Sequence, residues 1–136
     1  MKKVLIIYSN FYPEISENLL EGAELILQEK KIFYKKISVD GSLEIPFVLE
    51  KHKKNFKGFI ILGCVIKGET DHYYMVRDIA LKQIYKIAYE NKIPLSSAVL
   101  TVKNYSQAVE RSELEKKNLG ANAANVCINL MNLLNE

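Results

Sequence analysis

His72 is the side chain of this sequence best suited to moving a proton in both directions, because an imidazole titrates close to neutrality. It lies at the end of GCVIKGETDH, just ahead of a helix-like stretch, so a surface or helix-capping histidine is the plainer alternative. In the same segment Gly68, Glu69 and Thr70 lead towards that helix. Main-chain N–H groups at such a place can seat an anion, or simply close a turn. Arginine is scarce, with Arg77 and Arg111 against 17 lysines, so an arginine marks a place where a planar fork is useful. Arg111 falls about two turns into a segment that Asn104 is placed to cap. It either grips a phosphate through two parallel hydrogen bonds or pairs with Glu115 four residues on.

Other chemistry sits in turns. In Asp40-Gly41-Ser42-Leu43-Glu44-Ile45-Pro46 the Glu44 carboxylate can accept hydrogen bonds from sugar hydroxyls, or serve the first turn of a helix. Phe11, after Ser9 and Asn10, can stack on a flat heterocycle or staple a helix start. Cys64 and Cys127 are far apart in apolar surroundings, without CxxC or HxxxH spacing, so both are expected to be reduced and to hold no metal.

The elements that must position these groups follow from hydrophobic periodicity. Unbroken apolar runs at Val4-Leu5-Ile6-Ile7 and Phe59-Ile60-Ile61-Leu62 read as parallel strands covered on both faces, and residues 33–39 and 95–101 supply two more. Between them run helical stripes: Ile15, Leu19, Ala23 and Ile26, then Val76, Ile79, Ile84 and Ile87, and finally Ala123, Cys127, Leu130 and Leu134. This order predicts an α/β three-layer sandwich, a four-stranded parallel sheet with helices on both faces, similar to flavodoxin-like folds. Residues 1–136 are expected to form a single domain, with ligands beyond the carboxyl ends of the strands.

Composition narrows the classes. The chain is 49 % hydrophobic and 26 % charged, with no apolar run near the ~20 residues of a membrane span. Its start shows no signal-peptide pattern, so a cytoplasmic protein is expected. The net charge of +3 is mild, and Lys51-His52-Lys53-Lys54 lacks the aromatic interleaving of a nucleic-acid binder, so no nucleic acid is expected as partner.

Taken in order, the aromatic Phe11, GSLEIP, GCVIKGETDH and LTVKNYSQAVER resemble the lumazine synthase family over nearly the whole chain. The resemblance implies a cofactor-free transferase of riboflavin biosynthesis that condenses 5-amino-6-(D-ribitylamino)uracil with 3,4-dihydroxy-2-butanone 4-phosphate. It assigns Phe11 to stacking on the pyrimidine, and Ser42, Leu43 and Glu44 to the ribityl chain. Cys64, Val65 and Ile66 would line the pyrimidine pocket, Glu69, Thr70 and Arg111 would hold the phosphate, and His72 would transfer protons. Each site is expected between adjacent subunits, with the Arg111 region lent by the neighbour.

Two departures stand out. Ser97-Ala98 replaces a Phe-Gly found in many members, so the substrate position at Ser97 offers no second ring. Asn118-Leu119-Gly120 lacks the lysine of an N-K-G turn, removing a cation worth on the order of 1–3 kcal/mol near a phosphate. They motivate an alternative function, a non-catalytic lumazine or flavin binder on the same scaffold. By resemblance the chain forms a homopentamer or a dimer of pentamers, with riboflavin synthase a potential partner for the product. Shell-forming members carry a glycine-rich kink before the last helix, whereas residues 112–117 here are expected to extend a helix.

Overall fold

The computed structural model describes residues 3–68 and 73–134. Four strands, β1 (Val4–Ser9), β2 (Tyr34–Val39), β3 (Gly58–Ile66) and β4 (Leu95–Val102), form one parallel sheet in the order β2-β1-β3-β4. Five helices connect or follow them: α1 (Pro13–Glu29), α2 (Ile45–His52), α3 (Tyr73–Asn91), α4 (Tyr105–Ser112) and α5 (Leu119–Leu134). A 3-10 turn, Ser42–Glu44, precedes α2. The expected three-layer α/β sandwich with a flavodoxin-like sheet is the observed one.

Alternation along the strands divides the core in two. Val4, Ile6, Ile60 and Leu62 point to one face, where Ile15 and Leu19 of α1 and Ala123 and Cys127 of α5 close over them. Leu5, Ile7, Phe59 and Ile61 point to the other, covered by Ile45 and Leu49 of α2 and Ala80 and Ile84 of α3. All of these side chains are essentially buried. Removing one such aliphatic side chain from water stabilises the fold by up to about 1.5–3 kcal/mol, which explains why the two central strands read as continuous apolar runs.

Several details differ from the periodicity. In α1 the buried stripe is Ile15, Leu19, Ala23 and Leu27, with Ile26 only half-buried. In α3 Ile79 is exposed and Ala80 takes its place, giving Ala80, Ile84, Ile87 and Ala88 as the inner face. That set keeps the i, i+4, i+7, i+8 spacing that Ile79 to Ile84 breaks. In α5 Met131 is buried and Leu134 is exposed. Met131 already packs at Gly58, the first residue of β3, so the next helical turn overhangs the sheet.

The expectation of a helix extended through residues 112–117 is overturned. Helix α4 ends at Ser112, Glu113 adopts an extended conformation, and a turn leads to Asn118 at φ 47° before α5 begins. The physical reason is local hydrogen bonding: the main-chain N–H groups of Lys116 and Asn118 both turn back to the Glu113 carbonyl. Helix propensity is a weak prior beside such a turn. The reversal lets α5 fold back against α1, where Gly22 and Gly120 permit close approach.

Candidate active site

From β1 the chain moves through α1 to β2, then crosses back through α2 to β3 and onward through α3 to β4. The direction of travel reverses between β1 and β3, so the crevice beyond their carboxyl ends is where an open α/β sheet can receive a ligand. A half-open pocket of ≈ 280 Å³ occupies that place. It is built from the segments after β1 and β2 and from the last residues of β3, with Val76 of α3 at its border.

Its floor comes from unequal strand lengths. Pairing of β1 with β3 stops at Tyr8 opposite Leu62, whereas β3 stays paired with β4 as far as Ile66 opposite Val102. The N–H groups of Phe59 and Lys67 bond towards β4, to the carbonyls of Pro94 and Val102. Main-chain groups in a parallel sheet alternate sides, so those of Cys64 and Ile66 point the opposite way, into the space that β1 has left. A flat ring with donors and acceptors along its edge can lie there as a further strand would. The side chains of Cys64, Val65 and Ile66 make the floor apolar.

The polar wall is the turn after β2, where Asp40, Gly41, Ser42, Leu43 and Glu44 line the pocket. Beneath it Gly63 is a necessary gap: a Cβ there would lie 3.0 Å from Ser9 Oγ and 3.3 Å from Ser42 Oγ. Ser9 and Ser42 are both buried, and the Ser9 carbonyl accepts a hydrogen bond from Ser16 Oγ at 2.5 Å, fixing the end of β1 to α1. The opposite wall is Phe11, 64 % exposed, with its ring edge-on to Tyr12 at 4.9 Å between centroids. Tyr12 is the N-cap of α1 and precedes Pro13, which holds it extended and leaves Phe11 standing at the rim.

Burial pushes the Cys64 thiol up to about 12, so it is a neutral wall and not a nucleophile. Cys127 is raised to about 12 for the same reason, under α5 away from the pocket, and both are free. Among the described residues no cluster of three or more His, Cys, Asp or Glu residues could hold a metal ion, and no helix is long and apolar enough to cross a membrane.

The structure thus brings together Phe11, Ser42, Leu43, Glu44, Cys64, Val65 and Ile66 from three separate stretches. Glu69, Thr70 and His72 lie outside the described residues. They follow Gly68 in sequence, and its φ of +89° is a backbone conformation that favours glycine. Ser97 and Arg111 are not in this pocket wall. The Ser97 hydroxyl shares a 2.6 Å hydrogen bond with Tyr85 beneath α3. Arg111 is half-buried on α4 and donates from Nη1 to the Gln107 carbonyl at 3.4 Å, forming no ion pair with Glu115 among the described residues. Asn104 caps α4 as expected, its Oδ1 accepting from the Gln107 N–H.

Tyr12, Asp40 and Val76 also line the pocket, beyond the residues the sequence assigns to it. Tyr12 is legible as the residue held extended by Pro13, and Asp40 as the first residue beyond β2. Val76 belongs by periodicity to a core stripe, but near the start of α3 it borders the pocket instead.

An open parallel sheet with an apolar floor and a polar turn at its switch point defines a ligand-binding protein of the flavodoxin-like α/β class. Residues 1–135 match the sequence profile of 6,7-dimethyl-8-ribityllumazine synthase. Proteins of that name from Bartonella tribocorum and Paramagnetospirillum magneticum are 37 % and 36 % identical to the chain, covering 92 % and 96 % of it and 85 % and 93 % of their own lengths. The one from Agrobacterium fabrum is 34 % identical over 93 % of both chains. The chain belongs to the lumazine synthase family.

Proposed function

We propose that this chain is a working 6,7-dimethyl-8-ribityllumazine synthase of riboflavin biosynthesis, condensing 5-amino-6-(D-ribitylamino)uracil with 3,4-dihydroxy-2-butanone 4-phosphate and releasing phosphate and water. The observation that carries this reading is the convergence of Phe11, the 42–44 turn and the 64–66 overhang on one pocket in a chain matched by the family over residues 1–135. Phe11 covers one face of the pyrimidine, main-chain groups of Cys64 and Ile66 meet its edge, and Ser42 and Glu44 receive the ribityl hydroxyls.

The reaction joins an amine to a ketone, expels phosphate and closes a ring, so orientation and proton transfer suffice. Holding both substrates in register supplies several kcal/mol of the barrier reduction. His72 moves protons through imine formation and phosphate loss, while Glu69, Thr70 and Arg111 hold the phosphate. The 1–136 unit works in the cytoplasm as a pentamer or a pair of pentamers, Arg111 and Ser97 facing the pocket of an adjoining copy. Riboflavin synthase is the class of enzyme that consumes its product.

Mixing the two substrates with purified protein and following the lumazine chromophore tests the assignment. Turnover that needs both substrates supports it. Binding of lumazine or flavin without condensation makes the chain a non-catalytic binder, the reading motivated by Ser97-Ala98 and Leu119 in place of the ring and the lysine of other members.

A further inference from the structure

The Phe11 ring is the most exposed apolar side chain of the pocket wall, so something outside the pocket has to hold it. A row of aromatic rings runs outward from it. Phe11 meets Tyr12 at 4.9 Å, and Tyr12 meets Tyr105 at 6.4 Å, both edge-to-face at interplanar angles of 70° and 68°. The row ends on a hydrogen bond: the Tyr105 hydroxyl donates to Glu14 Oε2 at 2.9 Å.

The anchor points are firm. Tyr105 is the first residue of α4, directly after the Asn104 cap, and Glu14 stands in the first turn of α1, where a carboxylate suits the helix dipole. Their bond ties together two helix starts that are 91 residues apart in sequence, at the outer end of the row that begins with Phe11 and Tyr12 in the pocket wall. Its Glu14 acceptor and partial burial raise the Tyr105 hydroxyl above its ordinary value, as expected of a hydroxyl that donates to a carboxylate. Edge-to-face pairs of this geometry favour one ring orientation over its other rotamers.

We propose that Tyr105 and Glu14 are positioning residues that act through Tyr12 to fix the Phe11 ring against the pyrimidine substrate. The inference rests on the lumazine synthase reading for its ligand, and on geometry alone for the coupling. It predicts that the hydroxyl of Tyr105, which touches no substrate, influences one substrate and not the other. In Tyr105→Phe the ring remains but the tie is lost. The pyrimidine KM then rises about two- to fivefold, as befits one exposed hydrogen bond, with kcat and the KM for the sugar phosphate unchanged. Glu14→Gln keeps an acceptor for the Tyr105 hydroxyl and leaves the values near normal. Combining Tyr105→Phe with Glu14→Ala adds nothing beyond either single change.

A readout independent of turnover separates this inference from the assigned reaction. In full-length protein labelled with 4-fluorophenylalanine, the Phe11 resonance is identified by its loss in Phe11→Leu. It is expected to broaden or move in Glu14→Ala, which cuts the tie without adding a phenylalanine, and to keep its place in Glu14→Gln. An unchanged Phe11 resonance in Glu14→Ala overturns the proposal, as does an equal change in both KM values in Tyr105→Phe. Absence of condensation by the unmodified protein overturns the reading of function and leaves the fluorine experiment to decide the coupling.

Discussion

Gly120 crosses Leu19 so closely that a Cβ on the glycine would lie 2.0 Å from the Leu19 carbonyl oxygen. The obstacle is main chain, which cannot rotate aside, and it lies where α5 folds back on α1 over the sheet. Gly120→Ala is therefore expected to push the helices apart and cost about 2–4 kcal/mol, despite alanine's better helix propensity. Urea unfolding measures this. A variant as stable as the original would show that the two helices do not meet at this crossing.

The thiols give a pH dependence with a definite sign. Cys64 and Cys127 are held up to about 12 by burial, against 9.0 for an exposed thiol. Between those values the native chain keeps protons that the unfolded chain has released, so stability falls as pH rises from 9 towards 12 and is unaffected below 9. Burial and Glu24 raise Tyr34, Glu14 raises Tyr105, and Glu24 raises Lys36, all of which act in the same direction. Comparison with a Cys64→Ala, Cys127→Ala variant isolates the thiols, and its melting temperature should decline less steeply above pH 9. At pH 8 both thiols of the native protein should resist alkylation and become reactive on unfolding; rapid native labelling of Cys64 would contradict its burial.

Gly63 links the core to the pocket. A methyl group there meets Ser9 Oγ at 3.0 Å and Ser42 Oγ at 3.3 Å, tighter than ordinary contact, and Ser42 is the movable partner because it belongs to a turn. Gly63→Ala is expected to cost about 1–2 kcal/mol and to raise the pyrimidine KM more than it lowers kcat. Adding Ser9→Gly removes half of the crowding and should recover part of both losses, a coupling that a double-mutant cycle measures. Additive effects would mean that Ser9 and residue 63 do not share the space.

The fold was legible because its strands are covered on both faces: Val4 to Ile7 and Phe59 to Leu62 have no polar residue to disguise them. Failures occurred where small residues outweigh large ones. Ala80 and Gly120 are buried, Gly120 because backbones approach there, while Ile79 and Leu134 are exposed, and a periodicity count weights these residues the wrong way. The stop at Ser112 was hidden because no proline or glycine announces it; main-chain bonds to the Glu113 carbonyl make the turn. At the site, residues consecutive in sequence and next to a strand end were found, since position in a parallel sheet dictates where they go. Ser97 and Arg111 could not be placed by the same rule: Ser97 turns its hydroxyl to Tyr85 beneath α3, and Arg111 stands in the last turn of α4, away from any strand end.

The proposed lending of Arg111 to an adjoining copy can be put to a test. Arg111 lies six residues beyond Tyr105, about 9 Å further along α4, and is absent from the pocket wall of its own chain. If it serves an adjoining copy's pocket, His72→Ala and Arg111→Ala damage the same site from different subunits. Each is expected to lower turnover severely alone, by about ten- to a thousand-fold for the histidine. Unfolded together in equal amounts and reassembled into symmetric rings, random neighbours would make about a quarter of the sites intact. Activity should rise to roughly that fraction of the unmodified protein, while each variant reassembled alone stays inactive. A mixture no more active than its components would place His72 and Arg111 in one subunit's site, and the shared pocket would have to be abandoned.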